Sequence, residues 1–206
     1  MDSNRVLLDS DFCNMLTEID SEKINSRKLL ENLLSVTGKQ ACIHEYLVTQ
    51  ELFNNVIIQE FITKGTIKEL SFTEITNQNV DKPLYEATFD QYFKTMNEEE
   101  FTSVSSGFDC FTFRKSDYNL GEIHSIIAAR FLNIPLFYTN DGGAKFLAKQ
   151  YNSNDSKVEL ISGLDLMIQY KDTNLFDRNT RRAIFTKYEK AHWKEKYSEA
   201  VGNESV

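Results

Sequence analysis

The sequence predicts an α/β fold: a three-layer α/β/α sandwich around a central, mainly parallel sheet, followed by a C-terminal helix. Two observations carry this. Short apolar runs with strand character alternate with segments of helical period. Two of those runs, at 6–8 and 136–138, end abruptly in Asp9-Ser10-Asp11 and Thr139-Asn140-Asp141. Buried parallel strands end in this way, delivering polar residues to the carboxyl edge of the sheet where ligands bind.

Along the chain, residues 5–8 read as the first strand and 10–17 as a short helix beginning right after Asp9. A helix over 26–34 has Ser26 as its N-cap and Gly38 as its stop. Residues 41–43 form a brief strand. Tyr46, Leu47, Leu52, Phe53, Val56, Ile57, Phe61 and Ile62 recur at three- and four-residue spacing and predict one helix over 44–63, ended by Gly65. Residues 67–72 are extended, and 84–96 resume helical spacing through Tyr85, Phe89, Tyr92 and Phe93. The polar stretch 97–106 reads as a loop, and the aromatic stretch 108–113 has no assigned state. Then come an amphipathic helix over 122–132, a strand over 135–139, a helix over 143–150 and a strand over 158–161. A charged helix spans 177–197 and the last residues fray. The expected organisation is one domain over 1–170, with a basic helix and tail over 171–206.

Composition narrows the functional classes. A chain of 206 residues buries about 70% of the surface its unfolded form exposes, so a substantial core is available. Fifteen Phe and nine Tyr supply it, and only two Pro argues against a linker-rich chain. The net charge of −8 counts against a general nucleic-acid coat, which is basic. It does not count against a nuclease, whose metal-binding acids add negative charge that the bound ions offset. Cys13, Cys42 and Cys110 are odd in number and widely spaced. They read as reduced core thiols, not as a zinc site or disulfide framework. The chain has no signal-peptide pattern and no apolar run of 18 residues, so the expected compartment is the cytoplasm, without a membrane.

Asp9, Glu122 at the start of its helix, and Asp141 are therefore expected to meet at one sheet edge. Carboxylates held together repel one another unless a divalent cation neutralises them, which points to metal-dependent phosphodiester chemistry. Singly, each acid has an ordinary alternative. Asp9 caps a helix, Glu122 favours a helix dipole, and Asp141-Gly142-Gly143 makes a turn.

Four stretches resemble the PIN-domain nucleases, the group that includes toxin ribonucleases of bacterial toxin–antitoxin pairs. They are Val6-Leu7-Leu8-Asp9-Ser10-Asp11, Val48-Thr49-Gln50-Glu51-Leu52 after Ile43-His44, Leu120-Gly121-Glu122-Ile123-His124, and Leu136-Phe137-Tyr138-Thr139-Asn140-Asp141. The likeness spans roughly residues 5–165. It implies an endoribonuclease that holds Mg²⁺ or Mn²⁺ through Asp9, Glu122 and Asp141, with Glu51 as the fourth acid, and it leaves Glu45 open as the alternative to Glu51. Ser10 and Thr139 would orient the acids or a metal-bound water. The partners it implies are RNA and a protein antitoxin; a homodimer is left open.

Arg114, Lys115 and Lys145 are candidates to touch phosphate, or else solvated surface charges. His124 reads as a structural or exposed helix residue, and His44 as a cap at a strand–helix junction. The basic residues Arg178, Arg181, Arg182, Lys187, Lys190, Lys194 and Lys196 either bind RNA or an acidic partner, or lie on the wet face of a helix packed through Ile184, Tyr188 and Trp193. Two other readings compete. Asp9-Ser10-Asp11 also resembles the opening motif of haloacid-dehalogenase-type phosphatases, which needs a further acidic pair that Leu164-Asp165 supplies poorly. The third is a catalytically inactive module that binds RNA or protein.

Overall fold

The computed structural model describes residues 4–19, 24–77, 82–97, 109–114, 118–151, 157–188 and 191–202. The chain is α/β, with five parallel strands flanked by helices, consistent with a three-layer α/β/α sandwich. The strands are β1 Arg5–Leu8, β2 Gln40–His44, β3 Ile67–Leu70, β4 Leu136–Tyr138 and β5 Glu159–Ile161. Their order across the sheet is β3-β2-β1-β4-β5. β1 is central: Leu7 pairs with Cys42 on one side and Phe137 on the other. Val6, Leu7 and Leu8 are fully buried, which is why this strand reads as an uninterrupted apolar run.

The strand order positions the site. From β1 the chain builds outward through β2 to β3, then crosses back to add β4 and β5 on the opposite side. The connections thus diverge at the carboxyl ends of β1 and β4, the kind of switch point where open parallel sheets bind ligands.

The first helices are α1 Ser10–Thr17, α2 Ser26–Thr37, α3 Glu45–Gln50 and α4 Val56–Thr63. They are followed by α5 Phe72–Asn77, α6 Lys82–Met96, α7 Leu120–Phe131, α8 Gly142–Tyr151 and α9 Gly163–Gln169. The last two are α10 Arg178–Lys187 and α11 Ala191–Val201. α1 packs on α2 and α4, while α7 packs on α3, α6 and α8. No helix among the described residues is long and apolar enough to cross a membrane. Cys13, Cys42 and Cys110 are buried and form no disulfide among the described residues.

Two expected helices are divided. In place of one helix over 44–63, His44 completes β2, α3 ends at Gln50, and α4 starts at Val56. Asn55 makes the break: its side-chain oxygen accepts from Ile58 N–H, and its amide donates to Asn14 Oδ1 at 2.9 Å and Thr17 Oγ1 at 2.7 Å. Capping α4 and tying it to α1 outweigh continuing the helix. The helix expected over 177–197 is likewise two. Asp177 caps α10 and Tyr188 closes it, while Trp193 and Tyr197 of α11 are buried. Ser162 and Asp165 form a capping box at α9, an element that strand–helix alternation did not reveal. The loop expected over 97–106 lies outside the described residues beyond Asn97, as do Lys115 and Lys190.

Candidate active site

Asp9 follows β1 directly. Its extended backbone makes it the N-cap of α1, with Oδ1 accepting from Ser10 N–H at 2.9 Å. The ordinary reading of Asp9 is thus true, but it uses one carboxylate oxygen. The other, Oδ2, accepts from the Thr139 hydroxyl at 2.5 Å. Thr139 follows β4, and its Oγ1 in turn accepts from Asp141 N–H at 3.0 Å. Asp9 and Asp141 therefore lie on either side of one buried hydroxyl.

Asp141 Oδ1 accepts from Gly143 N–H at 2.5 Å and Ala144 N–H at 3.1 Å, opening α8. Its Oδ2 has no hydrogen-bond partner among the described residues. Glu51 stands at the end of α3, where one carboxylate oxygen accepts from the Ser10 hydroxyl. Its other oxygen lies where a side chain on Gly121 would sit, 2.5 Å from an ideal Cβ there. Gly143 makes the same allowance for Asp141, whose Oδ1 lies 2.9 Å from an ideal Cβ. Both glycines leave space that carboxylates fill.

Glu122, in the first turn of α7, completes the group. The charges feel one another. Burial, then Asp11 and Glu122, push the Asp9 carboxyl well above its ordinary value. Burial, then Asp11 and Asp141, raise Glu51 against the opposing Ser10 hydrogen bond. Burial, with Asp141, Glu51 and Asp11 adding to it, raises Glu122 to about 7. Asp9, Glu51, Glu122 and Asp141 form no ion pair with a described Lys or Arg.

The structure thus brings together all four acids singled out from sequence, and it adds Asp11. Asp11 Oδ1 accepts from Asn140 N–H at 3.2 Å, and Asn140 Oδ1 accepts from Gly163 N–H at 2.8 Å. Its visible signal was the Asp-Ser-Asp run at a strand end. Glu45 is elsewhere: its charged neighbours are Glu69 and Arg114, and it accepts from the Phe72 backbone. Of the two candidates for the second acid, Glu51 is the one in the cluster.

Arg114 is exposed, its guanidinium 5.2 Å over the Tyr46 ring and bonded to the carbonyls of Phe113 at 2.9 Å and Phe111 at 2.8 Å. Tyr46 lies beside Glu51 and Glu122, so Arg114 borders the cluster on that side. Lys145 is exposed on α8, just past Asp141.

The histidines belong to a different place. Tyr46 N–H donates to His44 Nδ1 at 3.0 Å, which leaves the His44 proton on Nε2, 3.5 Å from the Tyr85 hydroxyl. That hydroxyl lies 2.7 Å from His124 Nδ1. His124 Nε2 is buried without a partner among the described residues, packed among Phe72, Phe89 and Tyr85. Burial holds both rings neutral, lowering His44 to about 3 and His124 well below its ordinary value. These residues are core, with His44 also a cap as expected.

The donor set suits a hard divalent cation in kind: it is oxygen only, and Asp141 Oδ2 has no hydrogen-bond partner among the described residues. Among the described residues, however, no three His, Cys, Asp or Glu already stand as a ready-made ligand group. The acids are gathered, each held by its own cap or hydroxyl. The class defined by fold and site is a parallel α/β sandwich with an acid cluster at its switch point. Comparison of the chain with known families, with curated proteins and with solved structures gave no match.

Proposed function

We propose that the protein is a Mg²⁺- or Mn²⁺-dependent endoribonuclease of PIN-like type. One observation carries the reading: Asp9, Asp11, Glu51, Glu122 and Asp141 converge at the carboxyl edge of β1 and β4, and among the described residues no Lys or Arg forms an ion pair with Asp9, Glu51, Glu122 or Asp141. Buried like charges are costly, and a bound divalent ion offsets that cost. Such an ion supplies a Lewis acid for phosphate oxygens and a more acidic bound water.

The chain's own residues do the rest. Thr139 fixes the spacing of Asp9 and Asp141 through one hydroxyl. Ser10 orients Glu51. Glu122, half protonated near neutrality in the bare protein, releases its proton as a cation binds, so metal affinity rises with pH. Arg114 and Lys145, both exposed, would meet phosphates at the rim. A toxin role with an antitoxin partner follows from the PIN resemblance alone.

A second reading, a binding module without cleavage, draws on the lack of a ready-made ligand group among the described residues. The phosphatase reading loses support, because Asp165 spends an oxygen on the Ser162 amide and hydroxyl at 2.8 and 2.6 Å. Incubating single-stranded RNA with the protein and Mn²⁺, with and without EDTA, separates these readings. Cleavage lost with EDTA and in Asp9→Asn supports the nuclease. Hydrolysis of p-nitrophenyl phosphate alone indicates a phosphatase, and metal uptake without cleavage indicates the binding module.

A further inference from the structure

The buried chain of His44, Tyr85 and His124 lies behind the acid cluster and takes no part in the chemistry proposed for it. A backbone N–H can only donate, so the Tyr46 amide, 3.0 Å away, fixes Nδ1 of His44 as an acceptor. Both rings are neutral, and the order of protons along the chain follows. His44 Nε2–H faces the Tyr85 oxygen at 3.5 Å, and the Tyr85 O–H donates to His124 Nδ1 at 2.7 Å. The His124 proton then sits on Nε2, which has no partner among the described residues. A buried donor left without an acceptor costs stability. An apolar ring of that size would fill the place beside Phe72 and Phe89 without this cost, but it could not accept the Tyr85 proton.

Both ends of the chain lead to an acid of the cluster. His44 caps α3, whose C-terminal end carries Glu51. His124 follows Glu122 by two positions in α7. Residues two apart point to nearly opposite sides of a helix, so any rotation of α7 about its axis that moves one moves the other. The usual anchor is missing here: Asn119, at the N-cap, makes no side-chain hydrogen bond. Among the described residues, the bond from His124 to Tyr85 is the only side-chain hydrogen bond that ties residues 119–124 to another element. The Tyr46 ring fills the space between, centred 5.1 Å from the His124 ring and beside Glu51 and Glu122.

Resting on the nuclease reading above, we propose that His124 and Tyr85 are positioning residues for the acid cluster: their hydrogen bond sets the rotation of α7 and so holds Glu122 in place relative to Glu51. A hydrogen bond in dry, aromatic surroundings is strong and directional, and small displacements of a reacting group are costly to the rate.

The test compares wild type with Tyr85→Phe, His124→Phe and His124→Asn by Mn²⁺ calorimetry, by kcat and KM on single-stranded RNA, and by thermal melting. The two phenylalanine variants keep ring volume and remove the bond. Each is expected to weaken Mn²⁺ binding several-fold and to lower kcat about tenfold, with KM unchanged because neither residue touches the substrate. In His124→Asn the amide oxygen takes the place of Nδ1 and accepts from Tyr85, while the smaller side chain leaves a void. This variant should melt below His124→Phe and yet recover most of the Mn²⁺ affinity and kcat. A merely structural role makes function follow melting temperature, so that His124→Phe outperforms His124→Asn. That order, or wild-type values in Tyr85→Phe, overturns the proposal and leaves the nuclease reading intact. If His124→Asn does not fold, the phenylalanine variants decide through the same losses. Mn²⁺ uptake without RNA cleavage overturns the nuclease reading alone, and the affinity series then decides this proposal. Neither uptake nor cleavage by wild type overturns both.

Discussion

Thr139 donates its hydroxyl to Asp9 across 130 positions of sequence, at 2.5 Å, and both residues are essentially excluded from solvent. The same oxygen receives the Asp141 amide. One side chain therefore joins the first and last acids of the cluster and fixes β1 against β4 where the ladder ends. Thr139→Val keeps the shape and removes the bond, leaving a buried carboxylate oxygen unpaired. A loss of about 1–3 kcal/mol is expected, or roughly 2–4 °C in Tm per kcal/mol. Thr139→Ser should stay close to wild type by thermal melting.

The raised proton affinity of Glu122 makes a pH prediction. Its carboxyl titrates near 4.5 when exposed and about 7 in the fold. The folded state holds the proton more tightly, so this contribution is fully present below pH 4.5 and is lost as pH rises through 7. Asp9 and Glu51 act in the same direction. His44, lowered from 6.5 to about 3, acts oppositely: the unfolded chain takes up that proton first, and stability falls as pH drops from 6.5 toward 3. Glu122→Gln should therefore gain little at pH 4.5 and be more stable than wild type at pH 8 in the absence of metal. Melting curves across this range check it; a constant difference at every pH would contradict the assignment.

Gly121 is the floor on which Glu51 rests. An added Cβ would stand 2.5 Å from both Glu51 Oε1 and Leu47 Cδ2. Gly121→Ala should cost about 1–3 kcal/mol by overpacking and should also displace Glu51, weakening Mn²⁺ binding by calorimetry. Gly142→Ala, with open space around the same position, is the control and should do neither.

The central strands and the acids they carry were legible because burial on both faces writes β1 and β4 as apolar runs, and the switch point writes acids right after them. The break at Asn55 was not. Phe53 and Val56 keep helical spacing across it although they are 60% and 75% exposed, so apolar periodicity there did not report burial. The capping box of Ser162 and Asp165 was readable as a pattern, but α9 is too short for its periodicity to stand out. The meeting of His44, Tyr85 and His124 depends on elements about 40 positions apart and has no local signature. Asp11 was visible as an acid, but its place in the cluster depends on the Asn140 amide, 129 positions away.

The strained Asn119 offers a separate check on the start of α7. It sits at φ 51° and ψ 34° and caps the helix without a side-chain hydrogen bond. Glycine adopts this conformation without a Cβ penalty. Asn119→Gly should therefore hold stability or raise it, by up to about 1 kcal/mol, whereas Asn119→Val should lower it; thermal melting checks both.

The most direct measurement is the rate of single-stranded RNA cleavage with Mn²⁺, for wild type and for Asp9→Asn and Asp141→Asn shown by circular dichroism to be folded. The account predicts cleavage by wild type that EDTA abolishes, and a loss of about a hundredfold or more in each variant, on the scale of removing a central stabilising group. Equal rates in all three proteins, or cleavage that survives EDTA, would contradict it.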